Sequence, residues 1–256
     1  MTCIFCGSDL AGCRSKEHVL PQWALDEFGL RDELTMPTHF SQSGQVLSDR
    51  LHTYNGMVAG KVCQNCNSGW MSRLEVENKD LITALARGRR DTLDLQDGAA
   101  VGLARWAFKT ALALHAASNY RRLVPVEHYR HLPCGDANLP SGVHVVGKSW
   151  PLPCAFSWAQ SPSWWIHQPQ RELSAEELQT LKTHGYKICL CLSHLLLLVA
   201  FNPLATAKVI LWKYLHVPLY PRSGPVAWLV RQPQLPTDHP FKAVAAFHHS
   251  FGVTPT

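Results

Sequence analysis

The sequence has no membrane-length apolar run and no large excess of charge, and its opening residues lack the pattern of a secretory leader. The opening MTCIFCGSD has neither a basic stretch nor an apolar one, so we expect no secretory signal. The longest apolar run, residues 188–201, has 14 residues. A membrane-spanning helix needs roughly 20, so the run predicts a buried strand or strand pair. Hydrophobic residues make up 46% and charged residues 17%, which indicates a globular chain rather than a disordered one.

Cysteine use favours a reducing compartment. There are nine cysteines, an odd number, and no export signal accompanies them. Four of them fall into two tight pairs instead of forming an evenly spread disulfide framework. We therefore expect a cytoplasmic protein that does not enter a membrane.

Positive charge is unevenly distributed along the chain. The formal net charge is +5, but residues 1–80 hold 7 Lys and Arg against 10 Asp and Glu, whereas residues 81–256 hold 17 against 9. We predict a basic face beyond residue 80 that contacts a nucleic-acid backbone, although a solvated surface explains any single member equally well. The members of this predicted basic face are Arg87, Arg89, Arg90, Arg105, Lys109, Arg121 and Arg122.

The first 80 residues have only short apolar runs, so we expect a bound metal to stabilise them. Two CxxC pairs occur here, Cys3 with Cys6 and Cys63 with Cys66, and two such pairs complete a tetrahedral zinc site. Scattered buried thiols are the weaker alternative. A thiol-redox or zinc-relay role would require cysteines that exchange or release metal readily. The prediction is a structural zinc at the four cysteines.

Patterns beyond residue 80 predict a mixed α+β fold. A charged connector, residues 86–98, leads to a long helix over residues 99–117. Residues 174–185 carry a Ser N-cap, early glutamates and a Gly stop, which predict a short helix. Strands are predicted over residues 143–150, 154–160, 164–168, 187–201, 208–215 and 225–232.

The second cysteine pair runs directly into an asparagine in the stretch CQNCNSGW. Asn67 and Ser68 suit a helix N-terminus, and apolar residues then recur on one side, so a helix is predicted to begin beside the zinc. Further along this helix, Glu75 and Glu77 are predicted to be solvated charges.

An adjacent acid and histidine, Glu17 and His18, precede Pro21 in the stretch SKEHVLP. The pattern predicts a strand that enters a turn, in which neighbouring side chains point to opposite faces unless the backbone bends. Such a pair alone is more often structural than functional. Its position between the two cysteine pairs makes it a candidate site.

Together these motifs resemble the HNH endonuclease family, whose ββα-metal fold is treble-clef-like, in the subset that holds zinc with two CxxC pairs. The family's acid–His pair with a proline three residues on matches Glu17, His18 and Pro21. In zinc-containing members the last metal-binding residue follows the second cysteine pair directly, and here it is Asn67. The stretch CQNCNSGWMSRLE is similar to that of many bacterial members, and the resemblance covers roughly residues 1–80.

The resemblance implies two metals with different tasks. The four cysteines would hold a structural Zn²⁺, while Glu17 and Asn67 would bind a catalytic Mg²⁺ or Mn²⁺. His18 would accept the proton of an attacking water, and the products would be 5′-phosphate and 3′-hydroxyl ends. The implied partner is nucleic acid, with DNA favoured.

Three features depart from the family pattern. The acid is Glu17, where the family more often has Asp. His18 and Cys63 are 45 residues apart, which predicts an insertion that enlarges the hairpin. Asn55 is the nearest counterpart of the family's middle asparagine, but its Asn-Gly pair favours a plain turn.

We therefore expect a zinc-stabilised nuclease module over residues 1–82 and an α+β domain over residues 83–256. The second domain would begin with the long helix and serve recognition, oligomerisation or regulation, through a second copy of the chain or a protein partner. The predicted function is metal-dependent hydrolysis of DNA phosphodiester bonds, in phage defence, restriction or a mobile element. The alternative is a zinc-dependent nucleic-acid-binding module without catalysis.

Overall fold

The computed structural model describes residues 1–40, 45–118, 123–134, 138–167, 171–213, 215–224, 226–230 and 234–256. Helices and strands are mixed along these ranges, so the predicted α+β class is confirmed. Within the described ranges, no helix combines the length and the apolar character that crossing a bilayer requires.

The first part of the chain forms a two-stranded hairpin with a folded insertion and ends in a helix. Its elements are β1 (Arg14–His18), α1 (Gln22–Glu27), β2 (Leu34–Thr35), β3 (Thr38–Phe40), β4 (Val46–Asp49), β5 (His52–Thr53), β6 (Val58–Cys63) and α2 (Ser72–Ala86). The hairpin is β1 with β6, and the insertion holds α1 and two small sheets, β2 with β5 and β3 with β4. The predicted insertion is confirmed.

A bulge shapes the hairpin at the acid–histidine pair. The two strands run antiparallel, with Arg14 opposite Cys63 and His18 opposite Val58. Their register shifts between Ser15 and Glu17, where the single residue Lys16 faces two residues of β6, Gly60 and Lys61. The extra residue therefore bends β6 and increases the twist of the hairpin opposite the acid–histidine pair.

The second part contains a long helix, two larger sheets and three shorter helices among its described residues. Its elements are α3 (Asp97–Ala117), α4 (Val126–His131), β7 (Val143–Ser149), β8 (Phe156–Ser161), β9 (Trp165–Ile166), α5 (Ala175–His184), β10 (Tyr186–Leu192), β11 (Leu195–Phe201), β12 (Ala207–Trp212), β13 (Val217–Tyr220), β14 (Val226–Leu229), α6 (Pro240–Ser250) and β15 (Gly252–Pro255). The sheet orders are β13-β7-β11-β10-β8 and β14-β12-β15-β9.

The long apolar run forms the hairpin β10–β11 inside the five-stranded sheet. Ile188 and Leu190 belong to the core cluster that contains α3, whereas Cys189 and Cys191 belong to the cluster that contains α6. Both faces of the hairpin are therefore covered by helices. This double burial explains why the run is apolar throughout instead of alternating with polar residues. The predicted buried strand pair is confirmed.

Most predicted elements are found, although some strands are shorter than predicted. The helices over residues 99–117 and 174–185 are α3 and α5, and the strands over 143–150 and 154–160 are β7 and β8. The strands over 164–168, 208–215 and 225–232 correspond in part to β9, β12 and β14. Gln168, Tyr214, Pro225, Arg231 and Gln232 lie outside the described residues.

One hydrophobic cluster crosses the predicted domain boundary. It joins Phe5 and Leu20 from the first part to Trp106 and Leu112 of α3 and to Leu190 of the sheet. The two parts therefore share a core through α3. The division at residue 82 stays a prediction.

The predicted basic face is wrong at one position. Lys109 is fully buried and cannot contact a nucleic-acid backbone, because α2 and β6 pack against α3. Arg121 and Arg122 lie outside the described residues. The remaining members are exposed or partly exposed, and they are Arg87, Arg89, Arg90 and Arg105.

Candidate metal centre and adjoining acid–histidine site

The four cysteines of the two CxxC pairs converge on one point. Their Sγ atoms all lie within 4.8 Å of one another. Cys3 and Cys66 are 3.9 Å apart, and Cys6 and Cys63 are 3.6 Å apart. A tetrahedron built from Zn–S bonds of about 2.3 Å places its sulfurs about 3.8 Å apart. The four side chains therefore have the spacing that a zinc ion requires. The predicted convergence of the four cysteines is confirmed.

The backbone supports this cluster from both CxxC pairs. Gly7, with a φ of +79°, turns the first pair back on itself and donates its N–H to the Cys3 carbonyl at 2.9 Å. The backbone N–H of Cys63 points at Cys3 Sγ, and that of Cys66 points at Cys63 Sγ, each at 3.4 Å. Such amide donors stabilise thiolates, the form that binds metal.

The thiols differ in how readily they ionise. Burial would raise the pKa of Cys6, but hydrogen bonds with Ser8 and with Cys63 outweigh it and bring that pKa to about 6. Burial raises the pKa of both Cys63 and Cys66. Zinc binding here must therefore displace protons from buried thiols, which makes metal affinity depend on pH.

Aromatic packing connects the cluster to the rest of the protein. Phe5, between the first two cysteines, is fully buried and meets Trp70 edge-on, with ring centroids 5.6 Å apart. On its other side it meets Tyr129 of α4 at 5.5 Å. The tryptophan of the CQNCNSGW stretch thus holds the two cysteine pairs together.

Asn67 ties the start of the helix to the first strand. Residues Cys66–Met71 form a helical segment that is kinked at Gly69 and continues into α2, as predicted. The Asn67 amide donates to Ser15 Oγ at 2.7 Å and to the Lys16 carbonyl at 3.0 Å. Asn67 therefore holds the backbone directly before the acid–histidine pair.

The predicted acid is buried and already paired with a cation. Glu17 is 4% exposed, and its Oε1 lies 2.6 Å from Nζ of Lys109. The same ammonium donates a short hydrogen bond to Glu75 Oε1. Glu75 was predicted to be a solvated charge, which is wrong, because α3 covers it and leaves its side chain 17% exposed. Glu77 is exposed as predicted.

Burial and charge oppose each other in this cluster. Burial would lower the pKa of Lys109, but Glu17 and Glu75 outweigh it and raise that pKa, so the amine is an ammonium. Burial raises the pKa of Glu75 despite the attraction of Lys109. The centre therefore contains one fixed positive charge between two carboxyl groups.

His18 lies at the end of β1 and is half-buried. Burial lowers its pKa, and the charges of Arg31, Lys16 and Lys109 lower it further against the opposing effect of Glu75. Its imidazole is therefore neutral at pH 7 and can accept a proton. Of these cations, Lys16 is exposed and Arg31 is partly exposed, so these two supply positive potential where an anion would approach.

The structure brings the predicted site residues together and adds two that sequence reasoning missed. Glu17 and His18 follow the backbone that Asn67 holds, and the four cysteines lie at the other end of the same hairpin. The missed residues are Glu75 and Lys109. For Lys109 the sequence contained a signal, because it is the sole charged residue in the stretch WAFKTALAL. A lysine in such apolar surroundings is either solvated or buried with a partner of opposite charge.

Glu17 and Asn67, the residues that the resemblance assigns to a second metal, do not form a site that is open to a divalent ion. Glu17 Oε1 lies 2.6 Å from the ammonium of Lys109, so a divalent ion bound there would meet a fixed positive charge at close range. Asn55 lies in a single 3₁₀ turn, residues Tyr54–Gly56, so the prediction of a turn holds. Its Oδ1 accepts hydrogen bonds from Gln22 at 3.2 Å and from Arg31 at 3.4 Å.

Comparison of the chain with protein-family models, with curated proteins and with solved structures finds no significant match. Function must therefore be argued from the motifs and from the geometry of the centre.

Proposed function

We propose that the chain is an HNH-type endonuclease that hydrolyses phosphodiester bonds in nucleic acid, with DNA as the favoured substrate. The observation that carries the proposal is the hydrogen bond from Asn67 to the Lys16 carbonyl at 3.0 Å. That bond joins the residue after the second cysteine pair to the residue before Glu17 and His18. The three motif residues thus belong to one β–β–α unit beside a four-cysteine cluster.

In this proposal the metal at the cysteines is structural. Cys3, Cys6, Cys63 and Cys66 hold Zn²⁺, which fixes the helix start against the hairpin. The resemblance also implies Mg²⁺ or Mn²⁺ at Glu17 and Asn67. Because the ammonium of Lys109 already neutralises Glu17, no step of the reaction is assigned to that ion.

His18 acts as the general base. A neutral imidazole accepts a proton from water, whose oxygen forms a bond to phosphorus. The bond between phosphorus and the 3′ oxygen breaks, and that oxygen takes a proton from solvent. The products are a 5′-phosphate and a 3′-hydroxyl. Arg31 and Lys16, whose charges act on His18 and which reach the surface, attract the phosphate.

A specific observation favours a second candidate function. The ammonium of Lys109 contacts the carboxylate of Glu17, which the resemblance assigns to a catalytic ion. A protein that kept the zinc cluster and exchanged the ion for a fixed lysine would bind nucleic acid without cutting it. This zinc-dependent binding module is the alternative.

Cleavage of supercoiled plasmid by the zinc-loaded protein separates the two candidates. The assay is run with Mg²⁺, with Mn²⁺ and without either ion, and it is repeated on single-stranded DNA and RNA. We expect nicked or linear products from the wild type and from His52→Ala, a histidine of β5 outside the centre. His18→Ala should fold normally and cut about 100-fold more slowly or not at all.

Each remaining outcome has a definite meaning. Equal cutting by His18→Ala and the wild type would remove His18 as the base. A gel shift without cleavage under all metal conditions, by folded protein with its zinc, would establish the binding module instead.

A further inference from the structure

Lys109 is the least exposed Lys, Arg, Asp or Glu side chain among the described residues from 1 to 118. It lies in the middle of α3, is fully buried, and has Trp106, Phe108 and Leu112 as fully or almost fully buried neighbours on the same helix. A lysine is almost never fully buried unless it is paired. Its partners are the two carboxylates of the acid–histidine site.

The two carboxylates come from different elements and meet only at this lysine. Glu17 belongs to β1, and Glu75 belongs to the first turn of α2. Nζ of Lys109 lies 2.6 Å from Glu17 Oε1 and hydrogen-bonds Glu75 Oε1. Two buried carboxyl groups would repel each other as anions, and the ammonium placed between them offsets that repulsion.

The lysine cannot withdraw to make room for another cation. α3 packs against α2 and β6 on one side and against the sheet strands β7, β11 and β13 on the other. Its buried residues belong to the core that both parts of the chain share. Moving the ammonium away would leave an unpaired charge in an apolar core, which is strongly unfavourable.

We propose that Lys109 is the resident cation of the acid–histidine site, where its ammonium takes the place that the resemblance assigns to Mg²⁺ or Mn²⁺. It holds Glu17 and Glu75 together, so it is a positioning residue for the adjoining His18. The site consequently binds no divalent ion through Glu17 as long as Lys109 is present. This inference deepens the proposed function and rests on it for the role of His18.

Binding of Mn²⁺ to the zinc-loaded full chain tests the inference without using activity. Electron paramagnetic resonance follows free Mn²⁺ as protein is added, and zinc content is measured on the same samples. The wild type and Glu17→Gln should show the same Mn²⁺ binding up to about 1 mM, because Glu17 is not available to the ion. Lys61→Met, at an exposed lysine of the same hairpin, is the matched control and should behave as wild type.

Removal of the lysine should create a metal site. Lys109→Met keeps the apolar stem and removes the charge, so Glu17 and Glu75 become free to bind a divalent ion. We expect Mn²⁺ affinity to rise at least about tenfold, and the gain should vanish in Lys109→Met combined with Glu17→Gln. Mn²⁺ should also raise the melting temperature of Lys109→Met and leave that of the wild type unchanged.

Two results would overturn the inference. One is Mn²⁺ binding by the wild type that Glu17→Gln abolishes, and this arm decides even if Lys109→Met does not fold. The other is a folded Lys109→Met that gains no Mn²⁺ site. Plasmid cleavage reports separately: a wild type that cuts and binds Mn²⁺ through Glu17 retains the nuclease function and loses the role of Lys109.

Discussion

Asn67 and Ser15 form the contact that joins the helix of the four-cysteine cluster to the strand of the acid–histidine pair. The side-chain amide of Asn67 donates to Ser15 Oγ at 2.7 Å, and its second donor reaches the neighbouring Lys16 carbonyl at 3.0 Å. The resemblance implies a metal-binding role for Asn67 through its oxygen. The observed contacts use its nitrogen, so the two roles can be separated by substitution.

Asn67→Asp keeps an oxygen ligand but has no amide donor. We expect it to destabilise the protein by about 1–3 kcal/mol, because the Lys16 carbonyl loses its partner and faces a carboxylate. Denaturant unfolding measures the change. Asn65→Asp, at an exposed residue of the same CxxC pair, is the control and should stay within about 0.5 kcal/mol of wild type. Equal stability of Asn67→Asp and wild type would show that the donated hydrogen bonds are dispensable.

The four-cysteine cluster should be essential to the fold of the first part. Cys63→Ser removes one of four thiolates, and we expect loss of zinc together with unfolding of the hairpin, because structural zinc contributes roughly 10–16 kcal/mol to small domains that depend on it. Elemental analysis of zinc and near-UV circular dichroism check both effects. Because Phe5 belongs to the shared core, the loss should also lower the unfolding midpoint of the second part.

Cys13→Ser provides the matched control for that substitution. Cys13 lies in the same part of the chain, but its thiol donates to the Asp9 carbonyl at 3.1 Å and is outside the cluster. We expect full zinc content and a near-normal midpoint. A Cys63→Ser protein that kept its zinc and its midpoint would contradict the assignment of the cluster.

Local signals in the sequence were sufficient where short-range physics decides the structure. Helix α5 has the predicted Ser174 cap, and the cap forms the complete reciprocal box with Glu177. The run at residues 188–201 predicts a buried strand pair because only double burial tolerates such a composition. The four cysteines were found because metal spacing is a local pattern.

The burial of charged residues depends on contacts between segments that are distant in sequence, and the spacing of residues along the chain does not reveal such contacts. The sequence predicts a basic face for nucleic-acid contact that includes Arg105 and Lys109, but α2 covers Lys109. It also predicts a solvated Glu75, which the same helix contact leaves only 17% exposed. Whether a charged helix face meets water or another charged face is decided by packing, and a single sequence does not record it.

A second buried lysine, Lys187, should make stability depend on pH. Its Nζ donates to the carbonyls of His248 at 2.7 Å and Phe251 at 2.9 Å. Burial lowers its pKa to about 7. An unfolded lysine has a pKa of about 10.4, so between these values the unfolded state binds more protons than the native state and stability rises with pH.

Comparison with Lys187→Met isolates this contribution. Between pH 7 and pH 9 the wild type should gain about 2–3 kcal/mol relative to the variant, because the native amine loses its proton and its desolvation penalty while still donating to both carbonyls. Below about pH 7 the difference between the two proteins should be constant. Denaturant unfolding at several pH values measures this difference. If the free energy of unfolding depended on pH in the same way in both proteins, Lys187 would stay charged in the native state, stabilised by the two carbonyls.

The crossing of α2 and α3, which brings Glu75 to Lys109, should be sensitive to a single methyl group. A Cβ on Gly102 would lie 2.6 Å from Oδ1 of Asn78, closer than real Cβ atoms come. Asn78 is buried, and its amide donates to the Leu74 carbonyl at 2.8 Å, so it cannot turn away without losing that bond.

In a helix interior, alanine normally stabilises the helix by about 1 kcal/mol relative to glycine. At Gly102, helix propensity therefore favours alanine, whereas the close approach of α2 disfavours it. We expect the crossing to win, with Gly102→Ala destabilised by about 1–2 kcal/mol, because the helices must separate or Asn78 must give up its hydrogen bond. Gly98→Ala, in the same helix but with nothing within 4 Å of its Cβ, should instead be neutral or stabilised by up to about 1 kcal/mol. If both variants were stabilised alike, the close approach at Asn78 would be absent in solution. The placement of Lys109 between its two carboxylates would then need another explanation than a tight crossing.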